Sequence, residues 1–255
     1  MSHISYRLID YHVHSTYSVD GRSSIDEMCQ RAVELRFSEI GFCEHIDFEP
    51  SDPGFGFFDY EGYSEAIDSA RTRYAGKLVI RKGAEIDYGQ SYERQIQAWV
   101  EGKEFDFLVG SVHYIDHVAF DLDRELTMPP EIVVRKYYAK TAQAAESGLF
   151  NVIGHLDFIR SYIPPGHDLE QSDMIDLTLE RIIANRIHLE INSRRRWNRE
   201  PFPSRSLIQK YLDKGGTLFS LGSDAHSAQH LGIGITQAMD LVRDLKPGKV
   251  HVLFE

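Results

Sequence analysis

Residues 8–14 read LIDYHVH, an apolar run that ends in two histidines separated by one residue. The run Leu8–Val13 has the composition of a β-strand. Because side chains alternate across a strand, His12 and His14 are expected to share one face. A His-x-His pair is by itself a weak indication of a metal site. Its meaning depends on the residues that end the other predicted strands.

Strand-like runs alternate with helical patterns along the rest of the chain. The seven predicted strands are Leu8–Val13, Glu39–Cys43, Leu78–Glu85, Phe105–Val112, Phe150–Ile153, Ile187–Ile191 and Thr217–Leu221. The predicted helices lie near Ile25–Phe37, Tyr63–Tyr74, Tyr92–Val100, Glu131–Ser147, Ser172–Asn185, Ser204–Lys214 and Ile235–Leu245. Ser24 and Glu27 have the spacing of a capping box at the start of the first helix. Such alternation predicts βαβ units and a parallel sheet.

Titratable side chains end six of the seven predicted strands. They are His12, His14, His45, Glu85, His113, His155, Asp224 and His226. In α/β barrels the functional residues come from the C-terminal ends of several strands, whereas an open sheet gathers them at a switch point. The pattern therefore favours a barrel. We find no linker or repeat and expect one domain over residues 1–255. Imidazoles and carboxylates without thiolates suit Zn, Mn or Fe.

The remaining histidines and both cysteines have simpler interpretations. Six histidines are predicted to be structural or solvent-facing: His3, His117, His167, His188, His230 and His251. Cys29 lies on an amphipathic helix and is expected to pack in the core. Cys43 is also expected to pack, although its closeness to His45 leaves a contact with the metal site open. The sequence contains no G-x-S-x-G nucleophile elbow and no phosphate-binding P-loop.

The composition limits the classes of partner. A net charge of −11 over 255 residues disfavours non-specific binding to nucleic acid, which depends on Lys and Arg. It permits a small phosphorylated substrate, because bound metal can reverse the local charge. We recognise neither a signal peptide nor an apolar run of membrane-spanning length. With only two cysteines, the chain is expected to be cytoplasmic and not membrane-bound. The sequence leaves the oligomeric state open.

Seven motifs occur in an order and spacing that resemble a known family. They are DYHVHS, IGFCEH, GAEIDY, FDFLVGSVHYI, VIGHLDFIR, LEIN and LGSDAH. On these motifs the chain resembles the PHP (polymerase and histidinol phosphatase) phosphoesterases over nearly its whole length. GAEIDY, FDFLVGSVH and the chain length are most similar to the stand-alone histidinol-phosphatase branch.

The resemblance implies a distorted (β/α)7 TIM-like barrel with two or three divalent transition metals at the C-terminal ends of the strands. The implied ligands of the first metal are His12, His14, Glu85 and Asp224. Glu85 would bridge to a second metal, completed by His113 and His155. The implied ligands of the third metal are Asp20, His45 and His226. From the residues alone, Asp20-Gly21 is a turn.

The resemblance also implies arginines that bind phosphate. Arg160, after VIGH, fits this role, and a second arginine is expected within residues 194–196, with Arg196 taken as the candidate. This segment, SRRRWNREPF, is richer in arginine than the family pattern, so Arg194 and Arg195 stay open and a solvated loop is the alternative. A metal-bound water or Asp20 is the candidate that protonates the leaving group.

The activity implied by the resemblance is hydrolysis of L-histidinol phosphate, a late step of histidine biosynthesis. The main alternative is another PHP phosphoesterase acting on a nucleotide, a sugar phosphate or phosphotyrosine. A metal-binding module without catalysis is a third interpretation. The complete set of nine candidate ligands argues against it.

Overall fold

The structure is a computed structural model that describes residues 7–120, 128–163, 173–194, 200–245 and 250–254. The helices are α1 Ile25–Glu34, α2 Tyr60–Arg73, α3 Glu93–Val100, α4 Pro130–Glu146, α5 Asp173–Ala184, α6 Arg205–Asp213 and α7 Ile235–Leu245. The strands are β1 Leu8–Val13, β2 Phe37–Ile46, β3 Val79–Asp87, β4 Phe107–Ser111, β5 Tyr114–Ile115, β6 Val118–Ala119, β7 Val152–Ile153, β8 His188–Asn192, β9 Leu218–Gly222 and β10 His251–Val252.

Eight of these strands form one parallel sheet that curls into a barrel. Their order is β1-β2-β3-β4-β7-β8-β9-β10. Just beyond β9, Ala225 pairs in parallel with Val13, and the Asp224 N–H donates to the His12 carbonyl oxygen at 2.8 Å. The segment after β9 therefore meets β1 at the C-terminal end of the sheet. The predicted parallel, barrel-like α/β fold is confirmed.

The first helix and second strand differ from the sequence prediction at their shared boundary. We predicted a helix through Phe37, but α1 ends at Glu34 and β2 already begins at Phe37. Arg36 adopts a left-handed conformation with φ of 63°, which a continuing α-helix does not accommodate. Phe37 then pairs with Leu8 and its side chain is buried. The start of α1 is as predicted, with a complete capping box between Ser24 and Glu27.

Three strands, β5, β6 and β10, are not among the seven predicted ones. β5 and β6 form an antiparallel hairpin whose turn residues, Asp116 and His117, both have positive φ. This is the geometry of a type I′ turn, usually marked by Asn-Gly, and Asp-His does not carry that signal. The hairpin is followed by Phe120, which borders the cavity described below. The other addition, β10, pairs with the start of β9.

Large aromatic side chains fill the barrel away from the site. The Phe107 ring packs edge-on against Tyr11 and Phe254. Gly83 permits this packing, because a Cβ there would lie 2.5 Å from the Phe107 ring. Phe107 begins β4, so this aromatic packing lies at the N-terminal end of the barrel. The polar side chains lie at the opposite end, where the strands terminate.

Both cysteines agree with the predicted packing role. Cys29 and Cys43 are fully buried free thiols, as expected for packing residues. Within the described ranges, none of the helices has the length and apolar character required to cross a membrane.

Candidate metal centre

The nine predicted metal ligands all lie within the described ranges and converge at the C-terminal end of the barrel. Three groups of side chains each bring their nitrogen or oxygen atoms within 4.8 Å of one another. The groups are His12–His14–Asp224, Glu85–His113–His155 and His14–His45–His226. Each group offers the mixed imidazole and carboxylate donors that transition metals bind. The geometry at their junction shows how the groups are related.

Glu85 lies between two of these groups and turns a different oxygen to each. Its Oε2 is 3.3 Å from His12 Nε2 and 3.6 Å from His14 Nε2. Its Oε1 is 2.9 Å from His155 Nε2 and 3.8 Å from His113 Nε2. Two donor atoms bound to one tetrahedral ion at roughly 2.1 Å are about 3.4 Å apart. The spacing therefore suits one carboxylate shared between two ions.

Asp224 completes the group around His12 and His14 from the segment that follows β9. Its Oδ1 is 3.5 Å from His14 Nε2. The residue has φ of 53°, a left-handed conformation that aspartate tolerates better than most side chains. This turn, together with the backbone bond to His12, aims a buried carboxylate into the barrel.

The third group lies nearer the surface. The His14 ring stacks between His45 and His226, with ring centroids 4.3 and 4.1 Å away. Asp20 Oδ2 is 3.0 Å from His226 Nε2, and its Oδ1 is 3.7 Å from His45 Nε2. The loop after β1 thus places Asp20 beside His45 and His226. Spacing within the sequence gave no such indication.

Unpaired buried nitrogens show that these residues fit a metal. The Nε2 atoms of His12 and His14 are buried and have no hydrogen-bond partner. Buried polar atoms in native proteins are nearly always paired, because an unpaired one costs about 1–3 kcal/mol. Both nitrogens face carboxylate oxygens across gaps that a metal ion would fill.

The electrostatics of the site also fit a bound metal ion. Burial alone would raise the pKa of Glu85, but His12 and His45 hold it well below its usual range. Burial alone would lower the pKa of His12, yet Glu190 and Glu85 raise it well above its usual range. The pKa of His14 is lowered by burial and by the neighbouring His226. Glu190 and Glu85 thus stabilise positive charge at His12, whereas the neighbouring His14 favours the neutral imidazole.

Buried carboxylates beneath the site were missed by the sequence interpretation. Glu190 accepts from His12 Nδ1 at 2.5 Å, so β8, the strand without a predicted site residue, also contributes. Glu44 accepts from the hydroxyl groups of Ser15 and Ser18 at 2.6 Å. A signal existed for Glu190, because it is an acid between two apolar residues of a strand. Such an acid is rarely buried without a partner.

Two of the predicted arginines, Arg194 and Arg160, lie in different positions relative to the candidate ligands. Arg194 Nη1 is 3.2 Å from both carboxylate oxygens of Asp224, and Arg194 lines the cavity. Arg160 instead pairs with Asp157 and Glu200 and does not line that cavity. Arg195 and Arg196 lie outside the described residues. Among the described arginines of this prediction, Arg194 is the one beside the candidate metal ligands.

The cavity above the candidate ligands has a volume of about 490 Å³. One part of its wall carries two further carboxylates, Asp47 and Asp52. Asp52 accepts a hydrogen bond of 2.5 Å from Tyr114, whereas no described residue donates to Asp47. Phe120 and Phe158 provide an aromatic part of the wall. The cavity can therefore hold a small molecule that has a cationic group and a ring.

The other histidines lie apart from the ligand groups. His117 is mostly exposed and pairs with Glu49, and His188 begins β8. His251 is exposed on β10. His230 is exposed and bonds to Ser227. His3 and His167 lie outside the described residues.

Comparisons with known proteins agree with the fold. The probable histidinol-phosphatase of Thermotoga maritima is 29% identical over 94% of this chain and 91% of its own length. The crystal structure of histidinol phosphate phosphatase from Lactococcus lactis, complexed with zinc, L-histidinol and phosphate, superposes with a TM-score of 0.85. It is 25% identical and covers 98% of this chain and 96% of its own.

A more distant structure shares the fold alone. It comes from work on metal-dependent tyrosine phosphatases of Bacillus subtilis and Streptococcus pneumoniae, at 16% identity and a TM-score of 0.52, covering 95% of this chain and 89% of its own. The model of the PHP domain family matches residues 10–194, which include seven of the nine candidate ligands. With this match, and with titratable side chains gathered at the C-terminal ends of strands in a curled parallel sheet, the chain belongs to the PHP domain family.

Proposed function

We propose that this chain is a metal-dependent phosphomonoesterase that hydrolyses L-histidinol phosphate to L-histidinol and phosphate. The observation that carries the proposal is the position of Glu85, whose two oxygens face two groups of imidazoles at the base of one cavity. The similarity to histidinol-phosphatases over most of both chains supports the substrate. We treat residues 1–255 as one catalytic unit, since candidate ligands extend from His12 to His226.

The nine converging side chains are proposed to hold two or three divalent transition-metal ions. Two positions would share Glu85, one with His12, His14 and Asp224 and the other with His113 and His155. Asp20, His45 and His226 would hold a third ion. When bound, such ions lower the pKa of water and offset negative charge on phosphoryl oxygens. Zn, Mn and Fe all suit these donors.

Arg194 is proposed to contact the phosphate. Its guanidinium lies at the cavity wall against Asp224, so a small rotation would turn it towards a bound anion. Arginine binds phosphate oxygens through paired N–H groups, and these contacts strengthen as charge accumulates on the phosphoryl group. Arg160, the other candidate, has its guanidinium occupied by Asp157, Glu200 and the Pro201 carbonyl oxygen. The contacts therefore favour Arg194.

Asp47 and Asp52 are proposed to select the alcohol part of the substrate. L-histidinol phosphate carries an ammonium group and an imidazole, both of which can be cationic. A carboxylate without a described hydrogen-bond donor, such as Asp47, can accept from the ammonium at the cavity wall. Phe120 and Phe158 can pack against the imidazole ring. Asp20 is proposed as an ion ligand, because it already pairs with His45 and His226.

A panel of phosphomonoesters tests this function. Metal-supplemented protein is expected to hydrolyse histidinol phosphate with a kcat/KM at least about 100-fold above that for p-nitrophenyl phosphate, since two charged contacts are added. Nucleotide, sugar-phosphate and phosphotyrosine substrates complete the panel. Equal efficiency towards histidinol phosphate and p-nitrophenyl phosphate would contradict the specific substrate. A higher efficiency on another member would replace it.

A further inference from the structure

Strand β8 carries the LEIN motif, to which the proposed chemistry assigns no role. Glu190 on this strand is 1% exposed, and its two oxygens serve two different candidate ligands. Oε1 lies 2.5 Å from His12 Nδ1, and Oε2 accepts from the His155 backbone N–H at 2.6 Å. One buried carboxylate therefore connects the two groups that meet at Glu85.

Asn192 extends this connection to a third candidate ligand. It lies two residues after Glu190 and therefore on the same face of the strand. Its side-chain amide donates to Glu190 Oε2 at 3.3 Å and to Asp224 Oδ2 at 3.2 Å. The polar face of β8 thus touches side chains or backbone from β1, from the end of β7 and from the segment after β9.

The surrounding backbone leaves room for the carboxylate in this position. A Cβ at Gly222 would lie 2.4 Å from Glu190 Oε1 and 2.3 Å from the His12 Cβ. Any larger residue at 222 would therefore displace either the carboxylate or the histidine. The glycine of LGSDAH and the glutamate of LEIN are two parts of the same packing arrangement.

We infer that Glu190 is a positioning residue that fixes the His12 imidazole for metal binding and joins the two metal positions. A neutral imidazole that donates from Nδ1 to a carboxylate keeps its Nε2 lone pair free for a metal, and the carboxylate increases the basicity of that nitrogen. The Nε2 atom of His12 is buried and has no hydrogen-bond partner. The inference rests on the proposed metal-dependent function.

The test measures metal affinity in Glu190→Gln, with Glu39→Gln as a matched control. Glutamine keeps the acceptor oxygen but removes the charge. Glu39 is an equally buried glutamate near the start of β2, where it pairs with Arg7 and Arg81. Competition with a chelator is expected to show that Glu190→Gln binds its tightest Zn²⁺ or Co²⁺ about 10–100-fold more weakly than wild type. The Co²⁺ absorption spectrum should change, while Glu39→Gln should retain wild-type affinity.

Wild-type affinity and an unchanged Co²⁺ spectrum in Glu190→Gln would overturn the inference. If this variant folds poorly, ¹⁵N NMR of the zinc-loaded wild type provides a second measurement. We expect His12 to carry its proton on Nδ1, and a proton on Nε2 would overturn the inference. Failure of the proposed function is distinguishable, because wild type would then bind metal through the same residues without hydrolysing histidinol phosphate preferentially.

Discussion

The proposed metal centre has a buried part and an open part, and their side chains are held in different ways. The buried part consists of His12, His14 and Asp224, none more than 5% exposed. The open part consists of Asp20, His45 and His226, whose side chains are 50, 17 and 12% exposed. Glu190 contacts His12 directly, whereas Asp20 comes from a loop and meets only the histidines of its own group among the described ion pairs.

A hydroxyl group links the two parts. Ser18 Oγ donates to Glu44 at 2.6 Å, lies 3.1 Å from His14 Nδ1 and accepts from the His45 backbone N–H at 3.0 Å. His14, which belongs to two ligand groups, is therefore oriented by the neutral Ser18 hydroxyl group. This hydroxyl group in turn donates to the Glu44 carboxylate. The difference between the parts indicates that an ion in the buried part should be held tightly and that one in the open part should exchange readily.

The largest expected effect comes from removing Glu85, which two of the proposed ion positions share. Glu85→Ala should lower kcat/KM by about a thousandfold or more, since an ion supplies several kcal/mol and each 1.4 kcal/mol is tenfold. Metal analysis should show the loss of more than one ion per chain. Full activity with full metal occupancy in this variant would show that the assignment of the site is wrong.

The arginines provide the next comparison. Arg194→Ala should lower kcat/KM by about 100-fold with metal content unchanged, because an oriented donor to the reacting group is lost. Arg194→Lys should recover only part of this loss, since a point charge does not reproduce the paired geometry. Arg160→Ala is the matched control, with thermal stability as its main loss because the buried Asp157 carboxylate loses its arginine partner, although it keeps the Ser204 backbone N–H as a donor. The reverse pattern in steady-state kinetics would restore Arg160 as the phosphate ligand.

Asp47 should affect recognition of the substrate more than the chemistry. Asp47→Asn is expected to raise KM for histidinol phosphate by about tenfold, as for the loss of one charged hydrogen bond. The kinetics with p-nitrophenyl phosphate should stay unchanged, because that substrate has no ammonium group. An equal effect on both substrates would assign Asp47 to the metal centre instead.

The open part can be weakened by itself. Asp20→Asn should lower activity several-fold at limiting metal and recover most of it when Mn²⁺ or Zn²⁺ is added, because mass action refills a weakened site. Activity measured against free metal concentration checks this expectation. The same titration on Asp224→Asn should recover less, because its buried ligand group is disrupted. Identical titration curves for the two variants would remove the distinction between the parts.

The smallest effect is expected far from both parts. Ser24→Ala removes the side-chain cap of α1 and should cost about 1 kcal/mol of unfolding free energy. Metal content and kcat should remain at the wild-type values. Chemical denaturation together with metal analysis of one preparation provides the measurement. A change in metal content would mean that α1 contributes to the site.

Much of this arrangement could be predicted from where polar residues stand in apolar runs. His12, His45, Glu85 and His155 follow or end strands, and parallel strands bring those ends together. Asp20 could not be placed in this way, because a loop residue has no periodicity. Only the resemblance to the PHP family indicated Asp20 as a candidate ligand.

Other features depended on contacts that a linear sequence does not display. Glu190 lies within a run that otherwise predicts only a strand, and its partners are 178 and 35 residues away along the chain. Arg160 closely follows His155, and for this reason it was a candidate phosphate ligand. The 3-10 helix Phe158–Ser161 instead directs its side chain to Asp157 and Glu200. The direction of a side chain from a short irregular segment is set by its tertiary partners.

The most direct test of the central claim is to measure metal content and histidinol phosphate turnover together. Ions would be removed from the purified protein with a chelator and Zn²⁺ or Mn²⁺ titrated back. If the nine side chains form a shared site, full turnover requires at least two equivalents per chain, and the last equivalent binds more weakly than the first. Saturation at one equivalent or fewer, with no further gain in turnover on adding metal, would contradict the account.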